Sequence, residues 1–330
     1  MSASNKSYGL GIDAGGTETR WALADAGNVI IATGSVAGLT ALLMATEGGR
    51  ARMRDVMASI AGTLPVTQWP EKICAGITGF SDGGDDIRRL IATAFKIDQS
   101  GVALHSDIEI ACLDLFAPGG GYVVYAGTGS IAAFIDADGK FHRAGGHGVM
   151  LDDAGGGHWI AIEALQHIWR NEDEKPGLWR TSPMAAAMFE MLGGEDWSRT
   201  REFVYHRERG EIGKLALVVA AMASDDPVAM DILRRAGREL ARLGNAMISR
   251  YGPRPIALTG RVVQLHPVIE QSMRAALPST TELTVRTGEA HIAAARIAAA
   301  RIAAARIAAA RIAAAQIASR RTQPIFGENE

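Results

Sequence analysis

Cysteine is scarce in this chain: of 330 residues only Cys74 and Cys112 are cysteines, and they form no CxxC pair. That excludes a disulfide scaffold, a zinc ribbon and a cysteine-ligated cluster held within one chain, and it fits a reducing compartment. No apolar stretch reaches membrane-spanning length, and the opening MSASNKSYGLGID carries no apolar leader, so the expected location is cytoplasmic with no membrane partner. Charge of one sign is lacking too. The net charge is −2, and because residues 296–330 hold six Arg against two Glu, the first 295 residues carry −6. A mildly acidic body offers no electrostatic footprint for nucleic acid. Two nucleotide motifs are also missing. No Lys after Lys6 is followed by Ser or Thr, so there is no GxxxxGK[ST] loop, and GxGxxG after a first strand is absent as well.

What is present begins with two glycine-rich turns, GIDAGGTETRWAL (Gly11–Leu23) and VVYAGTGSIAAFI (Val123–Ile135). Each joins two β-type apolar runs. Such a turn leaves backbone N–H groups uncovered, and a concavity of amides suits phosphate oxygens. Asp13, at the first turn, has the carboxylate chemistry to hold a divalent cation that bridges phosphates. Two such loops far apart in sequence suggest two lobes gripping one nucleotide.

An apolar content of 48% and a charged content of 21% describe a globular chain, long enough for two domains. Strand patterns fall at Tyr8–Asp13, Trp21–Asp25, Val29–Ser35, Lys72–Thr78 and Val102–His105, with helical spacing at Thr46–Ile60, Ile87–Phe95 and Ile108–Phe116. After a break at Pro118–Gly121 the pattern restarts with strands Tyr122–Ala126, Ile131–Asp136 and Phe141–Ala144, as an internal duplication would. Beyond Gly157 the chain is expected to be mostly helical, through His158–Arg170, Met184–Leu192, Ile212–Ala223 and Pro227–Tyr251, with strands at Ile256–Thr259 and Leu283–Val285. RIAAA occurs four times in succession from Arg296 to Ala315, which predicts a helix over 290–319. A five-residue step turns a helix by about 140°, so Ile and Arg spiral around it and form no single stripe. The repeat reads as an extension of a genuine C-terminal helix.

Asp107 follows a strand at its carboxyl end, where ligands of open α/β sheets bind and where a carboxylate can take a proton from an attacking hydroxyl. Equally, an Asp there can simply cap the helix that follows, and spacing alone favours the cap. In GGHGVMLDDAGGGHWI (Gly145–Ile160), Asp153 can accept hydrogen bonds from polyol hydroxyls, or the two Asp can cap a helix. A metal set of His147, Asp152, Asp153 and His158 matches no standard spacing. IALTGRVV (Ile256–Val263) reads as a strand, a glycine turn and the start of a helix, able to lay backbone against adenine or ribose.

Taken in order, these segments resemble the actin/Hsp70/sugar-kinase superfamily, and within it the N-acetylglucosamine kinase branch and the related BadF/BadG/BcrA/BcrD-type ATPases. GIDAGGTETR resembles the first phosphate motif, AGTGS (Ala126–Ser130) the second and ALTGRVV the adenosine motif; AGITGF (Ala75–Phe80) and GEAHIAAA (Gly288–Ala295) resemble the two connecting segments. The resemblance implies an α/β fold of two ribonuclease-H-like, actin-like lobes with an inter-lobe cleft and a long C-terminal helix. Its lobes would be 1–116 with the returning helix 289–319, and 117–288, leaving 320–330 as a disordered tail. It implies ATP and Mg²⁺ as cofactors, a small amino sugar as substrate and a homodimer. Phosphoryl transfer would go to the 6-hydroxyl of N-acetylglucosamine or, as close runner-up, glucosamine. On the matching positions, Asp107 would be the general base and a sugar contact. Asp153, Thr128 and Gly129 would bind the sugar. Gly15, Gly16, Thr17, Gly127, Thr128, Gly260 and Arg261 would bind ATP, and Asp13 would position Mg²⁺ through water.

The chain departs from that pattern in places. The family's GDEGS-like motif reads DDAGG, with Asp152 for its Gly and Ala154 for its Glu; AGLTALLMA (Ala37–Ala45) has no counterpart of an Asn found after the third strand; and Arg261 stands where a small residue is usual. The alternative from another class is a BadF-type ATPase activator of a dehydratase or reductase, which would bridge a cluster through cysteines. A sugar-responsive repressor would need a DNA-binding helix pair before the first strand, where only seven residues precede Tyr8.

Overall fold

Each glycine turn opens a five-stranded sheet. The computed structural model describes residues 7–16, 18–80 and 83–321, with side chains to residue 308. The chain separates into two units, one up to Asp114 together with Glu289 onward, the other Leu115–Gly288.

In the first unit, β1 (Tyr8–Ala14), β2 (Glu18–Asp25) and β3 (Ile30–Ala37) form an antiparallel meander. The β2–β3 turn is fixed by Asp25, whose Oδ1 accepts the N–H groups of Gly27 and Val29, while Asn28 takes a left-handed φ of 64°. Helix α1 (Glu47–Thr63), capped by the Thr46 hydroxyl on the Gly49 amide, leads to β4 (Pro70–Ile77). Helix α2 (Asp85–Phe95) leads to β5 (Val102–His105), and α3 (Asp107–Leu115) follows. β4 lies parallel to β1 and β5 parallel to β4, giving the order β3-β2-β1-β4-β5.

The second unit repeats this plan. β6 (Tyr122–Ala126), β7 (Ser130–Ile135) and β8 (Phe141–Gly145) form a second meander. A helical stretch of α4 (Gly157–Glu174), α5 (Pro183–Leu192), α6 (Trp197–His206), α7 (Arg209–Gly213), α8 (Leu215–Met222) and α9 (Pro227–Tyr251) follows. Then β9 (Ile256–Thr259) pairs parallel with β6, and α10 (Pro267–Ala276) leads to β10 (Leu283–Val285). The order β8-β7-β6-β9-β10 matches the first sheet strand for strand. At the turns the pairings differ by one residue: Ala14 pairs with Thr19, and Ala126 with Ser130. The expected α/β class and internal duplication are therefore what the chain adopts. Its larger core joins the inner face of the second sheet to α4, α5, α8, α9 and α10.

The C-terminal helix, Ala290–Arg321, returns to the first unit and packs on β1. Glycine and alanine make the fit possible. A Cβ on Gly9 would stand 2.3 Å from the Ala299 nitrogen, and one on Gly11 would stand 2.1 Å from the Ala295 nitrogen, so helix and strand meet backbone to backbone. Ala293, Ala294, Ala295, Ala298, Ala299 and Ile302 are buried there, whereas residues 304–308 are exposed. The first copies of the repeat are thus core. The helix runs two residues into the stretch expected as tail, and residues 322–330 lie outside the described residues.

Two local expectations are corrected, and one helix, α6, was not among the expected elements. The helix expected over Ile212–Ala223 is divided into α7 and α8, because Gly213 packs on the first turn of α4, within 3.4 Å of the His158 nitrogen measured from an added Cβ. Helix α6 starts at Asp196, which caps it by accepting the Arg199 amide. Arg261–Gln264 is one 3₁₀ turn, and the next α-helix waits for His266 and Pro267 to start it.

Candidate active site

In the first unit, Asp13, Thr78 and Asp107 sit at the carboxyl ends of three adjacent parallel strands, β1, β4 and β5. The Asp13 carboxylate accepts a hydrogen bond and ion pair from Arg20 at 3.0 Å, across the β1–β2 pair. Burial pushes the Asp13 carboxyl above its usual value; the Arg20 guanidinium opposes that rise, and the negative charge of Asp107 adds to it. Gly15 closes the turn by donating to the Glu18 carbonyl at 3.0 Å, and among the described residues the Gly16 amide meets no acceptor. Thr17 lies outside the described residues.

Asp107 is not the cap of α3. Ser106 is: its hydroxyl accepts the Glu109 amide at 3.3 Å, and Glu109 reaches back to the Ser106 amide and hydroxyl at 2.8 Å each. This reciprocal box satisfies the helix start without Asp107. The Asp107 carboxylate, half-buried, accepts the Thr78 hydroxyl on Oδ2 at 2.7 Å and the Ile108 amide on Oδ1 at 2.9 Å. Two donors fix its orientation, and each oxygen keeps a further lone pair.

In the second unit the turn 127–129 is braced from beneath by the start of α4. The Gly157 amide donates to the Gly127 carbonyl at 2.8 Å and the His158 amide to the Thr128 carbonyl at 3.0 Å. The Ser130 hydroxyl donates to the Ala154 carbonyl at 2.6 Å. Gly127 spends its own amide on the Gly129 carbonyl, which leaves the Thr128 and Gly129 amides without an acceptor among the described residues. Two adjacent open amides form an anion nest. Asp153 lies against this turn so closely that a Cβ on Gly129 would be 2.2 Å from its Oδ2. Burial raises its carboxyl above the usual value, against the Gly148 amide hydrogen bond and the charge of Arg209. Its neighbour Asp152 pairs with Arg242 at 2.8 Å.

Gly260 completes the arrangement. It has φ +107°, and a Cβ there would stand 2.2 Å from the Ala126 carbonyl oxygen, so only glycine lets β9 end beside the second turn. Arg261 is exposed immediately after it. Gly127, Thr128, Gly129, Asp153, Gly260 and Arg261 thus gather at one end of the second sheet, as Gly15, Gly16, Asp13 and Asp107 gather in the first. No group of three His, Cys, Asp or Glu among the described residues has the arrangement of a metal site, and the His147, Asp152, Asp153 and His158 set is not one. Both cysteines are buried, and burial pushes each thiol up to about 12.

Sequence reasoning missed Thr78 and Arg20, the partners of the two carboxylates. It also missed the Ser106 cap, although Ser-Asp-Ile-Glu at 106–109 spells a capping box.

A sequence profile of the BadF/BadG/BcrA/BcrD ATPase family matches residues 10–294. The chain belongs to that family. Similar to this BadF/BadG/BcrA/BcrD-type chain is the N-acetyl-D-glucosamine kinase of Dictyostelium discoideum, 23% identical over 264 residues, or 75% of this chain and 81% of that protein. An N-acetylmuramic acid/N-acetylglucosamine kinase of Clostridium acetobutylicum is 28% identical over 138 residues, 41% of this chain and 44% of that one. Among solved structures, a ROK family glucokinase from Streptomyces griseus in complex with glucose and AMPPNP has a TM-score of 0.58 at 18% identity, covering 88% of this chain and 98% of that one. The BadF/BadG/BcrA/BcrD member described here therefore has the two-sheet fold of the actin-like sugar kinases. Among its described residues, no helix is long and apolar enough to cross a membrane.

Proposed function

We propose that the protein is an ATP-dependent amino-sugar kinase that phosphorylates the 6-hydroxyl of N-acetylglucosamine, with Asp107 as general base. The observation that carries this is Asp107 itself: relieved of capping by Ser106, oriented by Thr78 and set at the same end of the sheet as Asp13, two strands away. Relatives named as N-acetylglucosamine kinases support the acceptor, and the ATPase family supports the donor. As the sugar oxygen bonds to the γ-phosphorus and the bond to ADP breaks, the hydroxyl proton passes to the Asp107 carboxylate. Asp153 orients the sugar ring through its hydroxyls, beside Thr128 and Gly129. The open amides of Thr128 and Gly129 receive phosphate oxygens, and Gly260 with Arg261 flank the nucleoside.

Mg²⁺ fits Asp13. A half-buried carboxylate whose Oδ1 meets no donor among the described residues has an oxygen to offer a hydrated ion. When bound, the ion neutralises phosphate charge.

The test is coupled ADP release across N-acetylglucosamine, glucosamine, N-acetylmuramic acid and glucose. Turnover confined to N-acylated sugars is expected. Absence of turnover on every sugar, or full activity in Asp107→Asn, would sink the proposal. The activator alternative is disfavoured by its own requirement, since neither buried, protonated thiol is available to bridge a cluster between subunits.

A further inference from the structure

Helix α7 places an exposed arginine, Arg209, beside the second glycine turn. The helix is pinned at its other end. Ile212 is buried in the larger core, and Gly213 packs on the first turn of α4: a Cβ there would stand 3.4 Å from the His158 nitrogen, and one on Gly157 would stand 3.3 Å from the Gly213 carbonyl oxygen. Arg209 precedes these two residues by three and four positions, so it shares their helix face and stands over the start of α4. That start braces the turn, through the Gly157 and His158 amides on the Gly127 and Thr128 carbonyls. Two groups beside the turn respond to the Arg209 charge. It opposes the upward push of burial on the Asp153 carboxyl, by more than the adjacent Asp152 adds to that push, and it joins burial in holding His158 below its usual value. Yet the guanidinium has no carboxylate at ion-pair distance and no hydrogen-bond acceptor among the described residues. Its basic neighbours are engaged: Lys214 pairs with Glu211 at 2.6 Å, and Arg242 with Asp152 and Glu239.

The open amides of Thr128 and Gly129 can orient an anion but carry no net charge to neutralise it. Neither glycine turn carries a lysine, and Arg20 is already paired with Asp13. A guanidinium beside the second turn supplies the missing charge in a planar fork that matches phosphate oxygens. We infer that Arg209 is a further phosphate contact, its guanidinium joining the amides of Thr128 and Gly129 on the phosphate chain of the nucleotide. The inference rests on the kinase reading for the identity of the anion. It assigns Arg209 to nucleotide phosphates specifically and gives it no part in holding the nucleoside. A hydrogen bond between charged groups is worth about tenfold or more in affinity.

The test is calorimetric titration of the full chain with ADP and, separately, with adenosine, for wild type and Arg209→Gln. Removing the charge should weaken ADP about tenfold or more and leave adenosine unchanged. A wild type that binds ADP, with equal affinity in Arg209→Gln, would overturn the inference and leave the kinase reading standing. Parallel losses for ADP and adenosine would overturn it too, marking an arginine that only supports the local fold. So would a loss confined to turnover of N-acetylmuramic acid with ADP binding intact, because the sugar carboxylate would then be the anion that Arg209 meets. A wild-type protein that binds neither ligand would overturn the kinase reading and this inference together. If Arg209→Gln melts early, Arg209→Met keeps the aliphatic stem without the charge and is read by the same outcomes.

Discussion

The two sheets share one strand order but secure their turns by different means. In the first unit side chains join the backbone closure at Gly15: Arg20 on Asp13, Thr78 on Asp107, and the Ser106–Glu109 box that spares Asp107 from capping. In the second unit the backbone does it, through the opening amides of α4 on the Gly127 and Thr128 carbonyls and the close approaches at Gly156 and Gly260. A site held by side chains can be altered in charge without moving the chain. One held by backbone changes only when the chain path changes.

The largest expected effect tests the chemical half of that contrast. Asp107→Asn keeps the shape of the side chain and should lower kcat by about 10²–10⁴-fold, with little change in melting temperature. A loss below tenfold would remove the carboxylate from its role. The shape half is tested by Gly260→Ala, which sets a Cβ against the Ala126 carbonyl at a φ of +107°. A stability loss of about 3 kcal/mol in urea titration is expected, and a silent substitution would show that the second turn tolerates side chains after all.

Asp226 offers a smaller, pH-dependent probe of the second unit. Its carboxylate accepts the Ser182 hydroxyl and the amides of Met184, Val228 and Ala229, starting α5 and α9 together. Burial pushes this carboxyl up, but those hydrogen bonds outweigh it and hold the group below its ordinary value of 3.8. A depressed pKa contributes stability above the unfolded value that is lost as pH falls through the folded one. Asp226→Ala should therefore cost about 2 kcal/mol at neutral pH and progressively less below the unfolded value, measured by denaturant titration at several pH values. The smallest effect is expected from Arg20→Gln. Without that guanidinium the Asp13 carboxyl rises further, so the acid limb of kcat/KM for MgATP should move to higher pH while neutral activity changes little. An unmoved limb would show that Arg20 does not tune Asp13.

Much of this was legible because it is local. Alternation around each glycine turn predicts both hairpins, and Asp226–Pro227 announces α9. What sequence could not supply were contacts between distant segments. Thr78 stands 29 positions from Asp107 and meets it only because β4 and β5 are neighbours. The cap of α3 was legible and misassigned, since Asp107 and Ser106 are both good caps and only the Glu three residues after Ser106 decides between them.

The bare strand β1 has a consequence for how the molecule is made. Gly9 and Gly11 are covered by alanines near position 295, so the first sheet to leave the ribosome stays open on one face while the whole second unit is synthesised. The second unit is contiguous and can close as it emerges, whereas the first must keep an apolar surface waiting for its last helix. Nascent chains stalled before that helix should therefore be the ones that chaperones bind.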